Sequence, residues 1–155
     1  MINFFFNFSI FSTFSSHFSY IRAWPGGTGQ AKCGGNYGPT IPIQKQTMEE
    51  TGCHQVLWLF NDGHEQGPLI TEVGTMNFMC MWKRESDGKL ELITPPLDEP
   101  EGSRERDFIL PGVTRDSLLA MARSWNEFEV TEKSIEQVLN MFGKDKANVL
   151  IFCRT

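Results

Sequence analysis

Positive charge is in short supply in this sequence. Lys and Arg number 14 against 19 Asp and Glu, a formal net charge of −5, and the basic residues form no patch or run. An acidic chain without a basic face is a poor partner for a polyanion, which argues against nucleic-acid binding. The four cysteines, Cys33, Cys53, Cys80 and Cys153, include no Cys-x-x-Cys pair, and His17, His54 and His64 do not stand at ligand spacing from them. A structural zinc site is therefore not expected. Nor is a disulfide framework, because 155 residues suffice for a core without staples. Scattered thiols with mostly apolar neighbours suit a reducing compartment. Internal repeats are lacking, and so is a clean run of the roughly 20 apolar residues that a spanning helix needs.

The start of the chain has one residue type in excess. Between Met1 and Ser19 stand Phe4, Phe5, Phe6, Phe8, Phe11, Phe14 and Phe18, separated by Ser, Thr and Asn. A secretory signal would have a positive first segment and a small-x-small cleavage site, and a mitochondrial presequence would have several arginines. Neither pattern is met, since the first arginine is Arg22. We expect residues 1–19 to be a leader and residues 20–155 to form the folded unit. The compartment stays open between cytoplasm and mitochondrion.

Further along, Pro25 to Pro39 is a glycine-rich segment that reads as loop around Lys32. Gln44 to Thr51 predicts a helix ended by Gly52. Gln55 to Phe60 is a short, almost unbroken apolar run and reads as a buried strand, followed by the turn Asn61-Asp62-Gly63. Ile70 to Trp82 reads as strand, kink and strand with Gly74 at the kink. Asp87-Gly88 then turns the chain into a strand from Leu90 to Thr94. Pro95 to Asp107 reads as a polar surface loop. A helix is expected from about Thr114 to Trp125 with Thr114 as its N-cap, then an edge strand from Glu127 to Glu132. Ser134 to Gln137 has the form of a capping box opening a short helix that ends at Gly143, and Asn148 to Cys153 reads as a last strand. Strands and helices without regular alternation predict an α+β fold.

Three segments carry chemistry. In Gly26 to Gly35, neither the Walker spacing nor G-x-G-x-x-G is present, so a nucleotide-binding loop is set aside. Lys32 within it is either an exposed loop lysine or an amine held for imine chemistry in a crowded turn. Glu72 lies inside an apolar strand pattern. It either faces water or is buried against a partner, since an unpaired buried carboxylate costs several kcal/mol. Gly112 precedes a helix start, where free backbone N–H groups either hold a phosphate or are capped by Thr114.

These segments, KCGGNYGP, ITEVGTMN and LPGVTR, occur together and in order, accompanied by RAWPGGTGQ, GCHQVLWLF and TPPL. From about Tyr20 to Gly143 the sequence resembles the eukaryotic branched-chain amino acid aminotransferases, fold-type IV enzymes dependent on pyridoxal 5'-phosphate. The resemblance implies the large domain of that fold: a mixed, barrel-like sheet with flanking helices, here incomplete. It implies amino transfer between leucine, isoleucine or valine and 2-oxoglutarate. The other reading is a truncated, inactive relative acting at most as a binding module. By position, Lys32 corresponds to the lysine that forms the cofactor imine and shuttles the proton. Tyr37 matches the partner of the cofactor's phenolic oxygen, Glu72 the carboxylate at the ring nitrogen, and Thr75 a residue beside cofactor and substrate. Val113 and Thr114 match the helix start that holds the phosphate. Complete members of the family are implied to be homodimers.

The resemblance also has departures. Family members carry a smaller domain before the lysine motif, where this sequence has the Phe-rich leader. The family's FGSGTA turn is replaced by Phe142-Gly143-Lys144-Asp145-Lys146-Ala147, the segment before it is shorter, and the family continues beyond the position of Thr155. A chain with those parts missing is expected to leave part of its core uncovered.

Overall fold

The computed structural model describes residues 21–50, 55–61, 63, 68–84, 86–97 (residue 85 excepted) and 107–133, together with the backbone of residues 8–10, 51 and 147–154. The elements run in the order β1 (Phe8–Ile10), α1 (Gly34–Tyr37), α2 (Thr40–Thr51), β2 (Gln55–Phe60), β3 (Leu69–Val73), β4 (Met76–Lys83), β5 (Leu90–Thr94), α3 (Val113–Trp125), β6 (Glu129–Glu132) and β7 (Ala147–Arg154). The described strands form one sheet in the order β1-β2-β3-β4-β5-β6, with β7 beside β4. β1 on β2 and β5 on β6 are parallel pairs, and the other pairs are antiparallel. The result is the mixed sheet with few helices that an α+β reading predicts.

The hairpin between β3 and β4 arises at Gly74. Val73 pairs with Met76, which leaves Gly74 and Thr75 as the whole turn, and Gly74 has φ +53°, a left-handed conformation that costs a side chain roughly 1–2 kcal/mol. The expected kink is thus a full reversal. β4 then pairs along its length with β7, and its last residues, Cys80 to Lys83, pair with β5.

Alternation along the strands separates the core into faces. Phe78 and Cys80 of β4 join Leu57, Leu59, Ile70, Val73 and Ile93 in one cluster. Met79 points the other way and packs with Leu92 against Leu119 and Ala122 of α3. β2 divides likewise: Val56 and Trp58 pack on Ile43 of α2. Each large apolar side chain buried in this way contributes on the order of 1.5–3 kcal/mol.

Several expected boundaries move. α2 begins at Thr40, before the predicted Gln44. Pro42 is tolerated because it falls in the first turn, where a backbone N–H has no helical partner. One helical turn, α1, occurs inside the segment read as loop. α3 begins at Val113 and its N-cap is Gly112, so Thr114 is a residue of the first turn and not the cap. Pro95 and Pro96, read as surface, are buried, because the buried Arg115 side chain donates to the Pro95 carbonyl at 2.9 Å and holds the segment inward. β6 lies at the end of the strand order, as an edge strand should. The predicted helix from Ser134 to Gly143 lies outside the described residues. So does most of the leader, of which Phe8–Ile10 runs parallel to β2.

Candidate cofactor site

Lys32 stands at the end of a loop stitched by local hydrogen bonds. The Gly27 N–H donates to Trp24 O at 2.9 Å and the Ala31 N–H to Thr28 O at 2.9 Å. Asn36 organises the rest. Its amide donates to the carbonyls of Thr28 and Ala31, both at 2.8 Å, and its oxygen accepts from the Thr28 hydroxyl at 2.7 Å. Asn36 is buried although it sits in a glycine-rich turn, and every polar atom of its side chain is engaged. The loop is pressed onto the segment before α3. A Cβ added to Gly29 would stand 2.3 Å from the Asp107 carbonyl and 2.6 Å from the Ala23 side chain, so only glycine allows that approach. Asp107 fastens the same contact, accepting from the Gly26 N–H at 3.0 Å and the Gln30 amide at 2.7 Å.

Lys32 itself is exposed. The turn is crowded on the side before the lysine, at Gly27 and Gly29, and open on the side after it, where Gly34 and Gly35 have nothing within 4 Å of a built Cβ. The amine lies 5.1 Å from the centre of the Tyr37 ring, a cation–π placement that holds the side chain over the first turn of α1.

Glu72, the last residue but one of β3, is buried, at 1% exposure. Of the two readings of this residue, the buried and paired one holds. Its Oε2 lies 2.6 Å from an Arg22 nitrogen. Its Oε1 accepts from the Leu110 N–H at 2.7 Å and from the Asn77 amide at 3.3 Å. Burial pushes the carboxyl up from 4.5 to about 7. Arg22, the Leu110 N–H and the charge of Lys32 act in the opposite direction. Lys32 is therefore electrostatically coupled to Glu72, which links the loop to β3.

Leu110 ties β3 to α3. Its N–H binds Glu72 and its carbonyl accepts from the Asn77 amide at 2.8 Å and from the Gly112 N–H at 2.8 Å. Gly112 then opens α3 with no side-chain cap, so the first-turn N–H groups are not satisfied by a capping side chain. Val113 and Thr114 occupy that turn with exposed side chains. Thr75 is exposed in the hairpin turn following Glu72.

The structure thus sets the Lys32 amine over Tyr37, lets the charge of Lys32 act on Glu72, and joins Glu72 to the α3 start through backbone. It does not bury Lys32, and it reaches Val113 and Thr114 only through the Leu110-Pro111-Gly112 backbone. Three residues escaped the sequence reading as site residues: Arg22, Asn36 and Asn77. For Arg22 a signal was available, since a lone cation beside apolar residues and a lone carboxylate in an apolar strand are complementary. Asn36 and Asn77 gave none, because their partners, backbone carbonyls together with the Thr28 hydroxyl and the Glu72 carboxylate, are brought to them only by folding. Among the described residues, no group of three or more His, Cys, Asp or Glu side chains is placed to hold a metal, and no helix is long and apolar enough to cross a membrane.

Comparison with known proteins leads to one family. Residues 33–139 match the family Amino-transferase class IV. The chain is 52% identical over 117 residues to the mitochondrial branched-chain-amino-acid aminotransferase of Bos taurus, covering 76% of this chain and 26% of that one. It is 54% identical over 140 residues to the branched-chain-amino-acid aminotransferase of Monosiga brevicollis, covering 83% and 32%. Among solved structures, the branched-chain amino acid aminotransferase of Escherichia coli superposes with a TM-score of 0.63 at 25% identity, over 88% of this chain and 38% of that one. The chain spans about a quarter to a third of the length of these curated relatives. The family match over residues 33–139, with relatives at 52% and 54% identity that carry the same name, places this chain among the class IV aminotransferases.

Proposed function

We propose that this chain forms the cofactor-holding part of a pyridoxal-phosphate-dependent branched-chain amino acid aminotransferase, which moves an amino group between leucine, isoleucine or valine and 2-oxoglutarate. The observation that carries this reading is the placing of three complementary groups on the lysine loop, on β3 and at the start of α3. An amine, a buried carboxylate and an uncapped helix N-terminus suit the carbonyl, ring nitrogen and phosphate of one small anionic molecule. When bound, that cofactor supplies a carbonyl carbon that condenses with amines and a ring that accepts electrons released at the substrate's Cα.

The chain's own residues have separable tasks. The Lys32 amine would hold the cofactor and would take up the proton released at the substrate's Cα. Its exposure leaves it accessible to both. Tyr37, beneath that amine, is assigned to the cofactor's phenolic oxygen, Glu72 to its ring nitrogen, and the N–H groups of Val113 and Thr114 to its phosphate. Thr75 is assigned to the substrate side. We assign residues 20–155 to the large domain of the fold and, from the family resemblance, a homodimer to the complete protein. Relatives named as mitochondrial and as cytosolic both match, which supports one of these two compartments without choosing between them.

The test is to add pyridoxal phosphate to the purified chain, reduce with borohydride and map the adduct by mass spectrometry. The expected result is a phosphopyridoxyl group on Lys32, lost in Lys32→Ala. Label scattered over surface lysines would defeat the assignment and favour the inactive relative.

A further inference from the structure

Arg22 has no task in the assignment above, yet its side chain is 1% exposed. Nη2 lies 2.6 Å from Glu72 Oε2. Nη1 donates to the Phe108 carbonyl at 3.0 Å, and Nη2 also reaches the Gly29 carbonyl at 3.5 Å. The guanidinium is therefore fixed by backbone on two sides and presented to the carboxylate on the third. An ionised carboxylate offers about four acceptor positions on two oxygens. Oε1 of Glu72 takes the Leu110 N–H and the Asn77 amide, and Oε2 takes Arg22. Among the described residues one acceptor position is left, on the oxygen that Arg22 holds.

We propose that Arg22 is a positioning residue that acts through Glu72, keeping the proton of the hydrogen bond between Glu72 and the cofactor's ring nitrogen on the ring. This rests on the assignment of Glu72 to that nitrogen. A proton shared between a buried carboxylate and a pyridine nitrogen goes to the stronger base. Burial strengthens the carboxylate as a base because its charged form is poorly solvated, and an adjacent cation weakens it again. In Glu72 both influences operate. The carboxyl stands at about 7, with burial raising it most and Arg22 the largest influence holding it down. Without Arg22 the carboxyl would rise further and claim the proton, leaving a neutral ring that is a poorer acceptor of electrons. A lysine would serve less well, since its ammonium is a point charge that can lose its proton when buried, whereas a guanidinium remains charged and forked.

The experiment uses the full chain loaded with pyridoxal phosphate carrying 15N in the ring. The ring-nitrogen signal is followed against pH in the wild type, Arg22→Gln and Arg22→Lys. The wild type is expected to hold the ring proton at neutral pH. Arg22→Gln is expected to release it about one pH unit or more lower, a tenfold change in the proton equilibrium. Arg22→Lys is expected to fall between the two. An Arg22→Gln midpoint equal to that of the wild type overturns the proposal, as does a neutral ring in the wild type at neutral pH. Should Arg22→Gln not fold, Arg22→Lys decides alone: a lowered midpoint supports the proposal and an unchanged one overturns it. Failure of the wild type to take the cofactor on Lys32 is a different result, and it refutes the functional assignment itself.

Discussion

At the scale of single residues, Glu72 makes a pH-dependent contribution whose sign follows from its surroundings. Between about 4.5 and about 7 the folded chain keeps a proton on Glu72 that the unfolded chain has released. Folding binds a proton there, so this contribution is greatest at low pH and declines as pH rises through that window. Glu72→Gln has no such titration. From about pH 4.5 to about pH 7.5 the wild type should lose up to about 3 kcal/mol more stability than the variant, at 1.36 kcal/mol per pH unit. Urea melts at the two pH values measure this, and equal losses would show that Glu72 does not titrate in the window. Asn36 tests the loop. Asn36→Ala removes three hydrogen bonds, one to the Thr28 hydroxyl and one to each of the Thr28 and Ala31 carbonyls, which keep only their backbone donors. At about 1 kcal/mol per hydrogen bond, a loss of roughly 2–3 kcal/mol is expected in the same melts. The strand position of Glu72 was legible in the apolar run around it. Its partners were not, since Arg22 and Leu110 meet it only after the chain has folded back.

At the scale of elements, most of what was legible came from punctuation. Gly74, Asp87-Gly88 and Gly112 mark real ends, and β2, β5 and α3 fall close to where their apolar patterns put them. The start of α2 was hidden by Pro42, which reads as a breaker unless its place in the first turn is known. The turn α1 was hidden by its glycines. Pro95 and Pro96 looked exposed because nothing local shows that Arg115 bonds to the Pro95 carbonyl. The contact between the lysine loop and the segment before α3 has its own prediction. Gly29→Ala would drive a methyl into the Asp107 carbonyl, and overpacking of this kind costs about 1–3 kcal/mol. Thermal melts should show the loss, and cofactor titration should show weaker binding, because the loop carrying Lys32 lifts from the segment leading to α3. Unchanged affinity would mean that the loop can shift without disturbing the site.

At the scale of the whole molecule, the proposed ligand joins parts of the chain that are far apart in sequence: the lysine loop, β3 and the start of α3. A ligand bound only by the folded state stabilises it by about 2.7 kcal/mol at a hundredfold excess over Kd. The melting temperature should therefore rise with pyridoxal phosphate concentration in the wild type and rise much less in Lys32→Ala, by calorimetry. Equal rises would place the ligand elsewhere. The sequence by itself determined the α+β class, the order of the elements from α2 to β6 and three short motifs that resemble one enzyme family, because alternation, helix ends and glycine positions are local properties of a chain. Only the tertiary structure decided that Glu72 is buried and ion-paired, that Gly112 and not Thr114 opens α3, that Arg22 and Asn77 bind Glu72, and that Asn36 ties the lysine loop together. Each of these depends on desolvation and on backbone groups brought together by chain reversal, and neither quantity exists until the sheet has formed.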